Sequence, residues 1–409
     1  MFPNRFTESL WGDEAFSAVL SQRPLWPMIQ IVARDTSPPL YYLAEHFWFE
    51  LFGTSELAIR SLSFLFHLGT VMTLALVARY LWDKKTAIWA ALVGFLNPFL
   101  FGYAFEGRMY ALLAFMTTVS FYGYFRAFIT KKPQGKWKLF YAVTTALALY
   151  SHHFALFAVA IQGLWVLPSL AKAVSKKAAL ISSLFTYLWP FGLIVVFYLP
   201  WLPALYHQTS LVVNDFWLGT PTFKDLLELI RKFAVGAQEY QLCSLALALV
   251  GALLIVRRWQ RNKLEGILVG WFLGPLVLTW AVSQVVQSIF FDRYMLFAIP
   301  GFVLLLASGR RRVVSLLGLL LLSFVFMTQD WSYFAHLTKR PFRELAAYVK
   351  QTQQPTDRLI NWNSAAHHLW ETKYYGIPAP IYAPGGPLPF YVGTAQMTGA
   401  DVIATLPET

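Results

Sequence analysis

Two adjacent carboxylates are the first side chains in this sequence able to do chemistry. Leu10-Trp11-Gly12-Asp13-Glu14-Ala15-Phe16-Ser17 sets them directly after a tryptophan and a glycine, at the start of a helical run. A carboxylate can take the proton of a hydroxyl, and a carboxylate pair can hold a divalent cation such as Mg or Mn through its oxygens. Neighbouring residues on a helix point about 100° apart. Asp13 and Glu14 therefore do not address one target: one suits a base, while the other orients it or holds a ligand. The same residues also fit a plain helix start, with Asp13 as N-cap and Glu14 complementing the dipole.

Other polar clusters follow. Glu106-Gly107-Arg108-Met109-Tyr110 reads as a tight turn in which Arg108 either grips a phosphate with its planar fork or pairs with Glu106. Phe291-Asp292-Arg293-Tyr294 puts Arg293 at the opening of an apolar helix, with a local Asp292–Arg293 pair as the alternative. Arg34-Asp35-Thr36-Ser37-Pro38-Pro39-Leu40-Tyr41-Tyr42 bars helix at its prolines and then enters an aromatic run that suits a membrane interface. Tyr150-Ser151-His152-His153-Phe154 holds two adjacent histidines, better suited to polar filling at an interface than to a metal. The sequence carries no Walker A, no nucleophile elbow and no His-Glu-x-x-His pattern.

The elements that must position these residues are set by composition. The chain has 409 residues, 57% hydrophobic and 13% charged, where an average soluble domain carries about 25% charge. Mean hydropathy is +0.49. A disordered chain, a coiled coil, a collagen and a disulfide-rich domain are all excluded, and one cysteine, Cys243, rules out an intramolecular disulfide. The composition is that of a polytopic membrane protein.

About ten apolar segments are long enough to be read as spans: 60–82, 86–104, 108–129, 138–151, 153–171, 180–202, 241–258, 264–286, 293–309 and 312–328. Lys and Arg crowd alternate connections, near 79–85, 126–138, 172–177, 257–263 and 310–312, with Asp83 and Glu265 as their acids. Such bias marks the cytoplasmic side. The net charge of +12 is then a signature of topology, and nucleic acid is not an expected partner.

The polar clusters fall on the opposite, external side of the cell membrane. Residues 1–59 read as an external acidic loop with juxtamembrane helices, 60–328 as the helical bundle, and 329–409 as an external α/β appendage, with a loop expected over 203–240. Within that appendage a helix is expected over 343–353, a strand over 358–362 and a second helix to 373. Both termini lie outside, and a transmembrane helix is expected ahead of the acidic loop but is missing from this sequence. His67 is the ionisable group well inside a span. Its expected role is packing, because a proton-coupled transporter calls for buried acids or lysines near the midplane.

Taken in order, these motifs resemble the polyprenyl-phosphate-dependent glycosyltransferases of the GT-C class, which include protein O-mannosyltransferases, lipid A aminoarabinose transferases and the bacterial family 39 proteins. The resemblance rests on Gly12–Ser17, on Ser37–Tyr42 continued by Leu51–Arg60, on Glu106–Leu112, on Tyr150–Phe154, and on Arg293-Tyr294 before Pro300. It implies an all-α membrane bundle with an external active site. It also implies transfer of a hexose or aminopentose from a polyprenyl phosphate, with inversion, to a lipid, glycan or protein acceptor. Asp13 takes the role of base with Glu14 beside it, and Arg108 and Arg293 become ligands of the donor phosphate. Asp35, Pro39, Tyr41, Tyr42, Glu106, Tyr110, His152, His153 and Tyr294 would line the substrate, and membrane lipids would surround the bundle. A lipid or polymer transporter and a non-catalytic scaffold are the alternatives.

Overall fold

The computed structural model describes residues 4–129, 134–175, 180–214, 216–236, 241–256, 263–308, 313–362 and 366–406. Most of the basic connections fall wholly or partly outside these residues, and so does the side chain of Cys243.

Three short helices come first: α1 (Gly12–Ser21), α2 (Leu25–Arg34) and α3 (Leu40–Phe52). Next come α4 (Glu56–Leu81), α5 (Lys84–Phe95), α6 (Pro98–Tyr103) and α7 (Tyr110–Tyr124). They are followed by α8 (Gly135–Ser151), α9 (Ala155–Ser175), α10 (Leu180–Tyr198) and α11 (Leu202–Asn214). The bundle ends with α12 (Phe223–Val235), α13 (Gln241–Val256), α14 (Lys263–Val285), α15 (Ile299–Ser308) and α16 (Val313–Ala335). The C-terminal part holds α17 (Phe342–Thr352), α18 (His368–Tyr374) and a two-stranded parallel sheet of β1 (Ile381–Tyr382) and β2 (Val402–Ile403).

The architecture is the expected all-α polytopic membrane bundle with a small α/β appendage. Among the described residues, five helical stretches are long and apolar enough to cross a membrane: Glu56–Leu81, Tyr110–Ile129, Phe185–Val213, Lys263–Val285 and Leu316–Ala335. Several expected spans take another form, for local reasons. The segment 86–104 breaks into α5 and α6 because Asn97 caps the second helix through Leu100 N and Pro98 occupies its first turn. The segment 180–202 does not stop. Pro200 and Pro203 each sit near the start of a new helical stretch, where a missing N–H costs nothing. The expected loop over 203–240 is thus partly helical. It also contains α12, fixed at its start by a reciprocal cap between Thr222 and Asp225. The segment 293–309 begins as a 3-10 helix, Asp292–Ala298, before α15.

Packing decides where these elements lie. Phe121 of α7 stacks on Trp271 of α14 at 3.7 Å, and the Trp271 indole donates to Phe297 O at 2.8 Å. That bond ties the 3-10 turn carrying Arg293 to the buried core. His67 is buried against Phe64, Phe95 and Phe101, a packing site.

Candidate active site

Asp13 lies in the first turn of α1 and is not its cap, since the helix begins at Gly12 with Trp11 in the cap position. Its carboxylate is 3.4 Å from Arg293 Nη2 through one oxygen and 3.6 Å from His367 Nδ1 through the other. Arg293 also reaches Glu106 Oε1 at 3.8 Å and lies over the rings of Phe291, Trp11 and Tyr110. Arg108 donates to Asp13 O at 3.2 Å and to Ser17 Oγ at 2.7 Å.

Both local alternatives read from the sequence are therefore corrected. Arg108 turns to α1 rather than to Glu106. The Asp292 carboxylate accepts from the Arg293 backbone and pairs with Lys232 at 3.5 Å, leaving the Arg293 guanidinium for Asp13. The Nε atoms of Arg108 and Arg293 are buried and have no hydrogen-bond partner among the described residues. Two such donors beside one carboxylate suit an anionic ligand.

Glu14 behaves differently from its neighbour. It is fully buried, and both its oxygens are taken. Oε1 accepts from Arg60 Nε at 3.0 Å and Gly107 N at 2.8 Å; Oε2 accepts from Arg60 Nη2 at 2.7 Å and Lys339 Nζ at 2.8 Å. Burial pushes its carboxyl up, but Arg60, Lys339 and the Gly107 N–H outweigh burial and hold it at about 2. Glu14 thus has no oxygen to offer a cation, and no group of three His, Cys, Asp or Glu side chains among the described residues is placed to hold one. The Asp13–Glu14 pair does not fit a Mg or Mn site.

Two glycines allow these contacts. A Cβ on Gly12 would collide with His367 Cβ, and one on Gly107 would collide with Ile59 Cγ2. Gly107→Ala is expected to push the turn from α4 and stretch the Gly107–Glu14 hydrogen bond. Overpacking of this kind costs about 1–3 kcal/mol, which a lower melting temperature of the purified protein would report. An unchanged melting temperature would mean that Ile59 yields.

The remaining sequence candidates divide. Asp35 is buried near Arg108 and Asp13; burial lifts its carboxyl to about 6, with Asp13 acting the same way, against the Thr36 N–H and Arg108. Tyr110, Tyr294 and His152 pack together as tilted rings, Tyr110 under Arg293 and His152 5.1 Å from Tyr294. His153 points elsewhere, bracketed by Gln208 at 2.7 Å and Tyr198 at 3.1 Å. The two histidines therefore do not converge. Pro39 precedes α3 in its cap position. Tyr42 is buried, and Tyr41 donates to Glu45, whose carboxylate also accepts from Ser21 at 2.7 Å. Burial lifts Glu45 to about 8 in spite of those bonds.

The sequence reading assigned no role to Arg60, Lys339 or His367. Arg60 carried a signal, because an arginine one turn into an apolar span needs a partner. Lys339 and His367 carried none.

The acidic first turn of α1 and the arginine pair thus meet at one end of an apolar helical bundle. No family model matches this chain, and no curated protein matches it. Among solved structures it is similar to ArnT from Cupriavidus metallidurans bound to undecaprenyl phosphate, with TM-score 0.65 and 13% identity over 95% of this chain and 84% of that one. The apo state of that protein gives TM-score 0.52 at 14% identity, again over 95% and 84%. The Archaeoglobus fulgidus oligosaccharyltransferase in complex with Zn and sulfate gives TM-score 0.53 at 13% identity, over 91% of this chain and 58% of that one. At these identities the likeness is one of fold.

Proposed function

We propose that this protein is a membrane glycosyltransferase. It moves a sugar, with inversion, from a polyprenyl-phosphate donor to a hydroxyl or phosphate acceptor of the cell envelope, at the external face. One observation carries the reading: a carboxylate and a guanidinium, Asp13 and Arg293, stand 3.4 Å apart on separate elements, with a second arginine held against the same helix turn. The fold shared with ArnT, which was crystallised with undecaprenyl phosphate, supports it.

In this scheme the acceptor oxygen attacks the anomeric carbon and Asp13 takes its proton. The bond from that carbon to the phosphate oxygen breaks on the opposite face, and polyprenyl phosphate leaves with the electron pair. Arg293 and Arg108 meet the negative charge that grows on the departing phosphate. Glu14 is a positioning residue, fixing the first turn of α1 to α4 through Arg60 and to the C-terminal segment through Lys339. Residues 1–59 and 329–409 together form the external cover of the 60–328 bundle. The acceptor is a lipid, a glycan or a protein, with membrane lipids around the bundle.

The test is incubation of purified protein with a panel of polyprenyl-phosphate sugars and envelope acceptors, read by mass spectrometry. One donor should be consumed with release of polyprenyl phosphate; no consumption of any donor overturns the reading. Within that assay Arg293→Ala should lower donor use roughly ten- to hundredfold, the worth of a charged hydrogen bond. Arg293→Lys should lower it less, keeping charge but losing the fork. Wild-type kinetics for both variants would remove Arg293 from the site.

A further inference from the structure

A cleft of about 250 Å³ opens beside the Asp13 cluster, walled by Gly102, Tyr103, Glu106, Asp292, Asp330 and Tyr333. Asp330 belongs to α16 and is 4% exposed. Neither of its carboxylate oxygens has a hydrogen-bond partner among the described residues. Of the other acids of the wall, Asp292 has Lys232 at 3.5 Å, and Glu106 has Arg293 at 3.8 Å as a counter-charge although its Oε1 has no hydrogen-bond partner among the described residues. A carboxylate buried without a partner is costly, and a costly group that is kept calls for a ligand that satisfies it. The cleft also communicates with the reacting groups, since Arg293 bridges Glu106 on its wall to Asp13.

We propose that this cleft seats the ring of the transferred sugar, with Asp330 accepting hydrogen bonds from the ring's hydroxyl or ammonium substituents. The inference rests on the glycosyl-transfer reading of the Asp13 cluster and adds where the sugar sits and which residue selects it. Tyr103 and Tyr333 add aromatic surface to the lining for the apolar C–H side of a sugar ring, while the acids take the polar edge, the usual division of labour in a small-ligand site. A site built to bond a substituent strongly rejects an analogue that lacks it. Asp330 is therefore a specificity-determining residue, whereas Arg293 and Arg108 serve any polyprenyl phosphate.

The test compares binding of polyprenyl phosphate with and without its sugar to the full purified chain, for wild type, Asp330→Asn and Gly102→Leu. Asn keeps the shape of the side chain but replaces one of its oxygens with an amide donor. A Cβ on Gly102 has room, meeting nothing nearer than Tyr333 Cζ at 3.9 Å, so leucine fills the cleft without removing a polar group. Wild type should bind the sugar-loaded lipid more tightly than the bare lipid. Both variants should bind the bare lipid as wild type does and lose about tenfold or more of affinity for the sugar-loaded form. A loss confined to amino sugars assigns Asp330 to an ammonium; a loss with neutral sugars assigns it to hydroxyls. An unchanged preference in both variants, or a wild type that binds bare and loaded lipid equally, overturns the proposal. Should Asp330→Asn fail to fold, Gly102→Leu decides alone. A wild type that binds neither lipid sinks the glycosyl-transfer reading itself, and this inference with it.

Discussion

Asp13→Asn should leave a folded, membrane-inserted protein that binds donor and transfers almost no sugar. Loss of a general base costs about 10²–10⁴-fold in rate, and nothing else about the substitution has an effect of that size. Asp13 is not the cap of α1, so no capping bond is lost. Its contribution to the helix dipole is worth about 0.3–1 kcal/mol. Arg293 keeps Glu106 at 3.8 Å as a counter-charge. Asparagine keeps the size of the side chain, so the distances to Arg293 and His367 need not change. Single-turnover rates with the preferred donor, beside a melting curve, separate the outcomes. Transfer at the wild-type rate removes Asp13 as base.

Glu14→Gln should instead damage the fold. It leaves Arg60, itself fully buried, without its anionic partner and weakens the hold on Lys339. Breaking a buried pair in this way costs about 3–5 kcal/mol. Arg60 keeps bonds to the carbonyls of Arg5, Glu8 and Ser9, which orient it but carry no charge. The same pair sets an acid limit. Glu14 is held near 2 in the folded protein against an ordinary 4.5, so its stabilisation is complete above about pH 4.5 and fades as pH falls toward 2. At 1.36 kcal/mol per unit this is on the order of 3 kcal/mol. Thermal melts from pH 7 down to pH 3 should show wild type losing stability over the acid part of that range and Glu14→Gln starting lower with a flatter slope. Equal melting temperatures at pH 7 would mean that Arg60 finds another counter-charge.

These two neighbours show why only part of the site was legible in the sequence. Charge scarcity and apolar runs gave the membrane class, because a helix in lipid must be apolar along a length set by the bilayer. Glycine before two acids, and arginines at the ends of apolar runs, marked the residues that meet at the candidate site. Where the local reading failed, the cause was also local: the loop expected from 203 is helical at its start, because Pro200 and Pro203 sit where proline is tolerated at the beginning of a helical stretch.

The sequence by itself determined the membrane-bundle class, the polar residues gathered at one end, and the acidic motif among them, since composition, hydrophobic run length and residue type are properties of short stretches. Tertiary structure alone decided how the acids divide. Glu14 meets Arg60 across 46 positions and Lys339 across 325, while Asp13 is left facing Arg293 and His367. No periodicity encodes such pairings. They exist because α1 packs against α3 and α18, with Gly12 small enough to meet His367 and Gly107 small enough to meet Ile59, and because a buried carboxylate must find its counter-charge wherever packing brings one. Asp330 shows the converse: only the packing around α16 leaves its carboxylate without a hydrogen-bond partner among the described residues, in a cleft beside the Asp13 cluster.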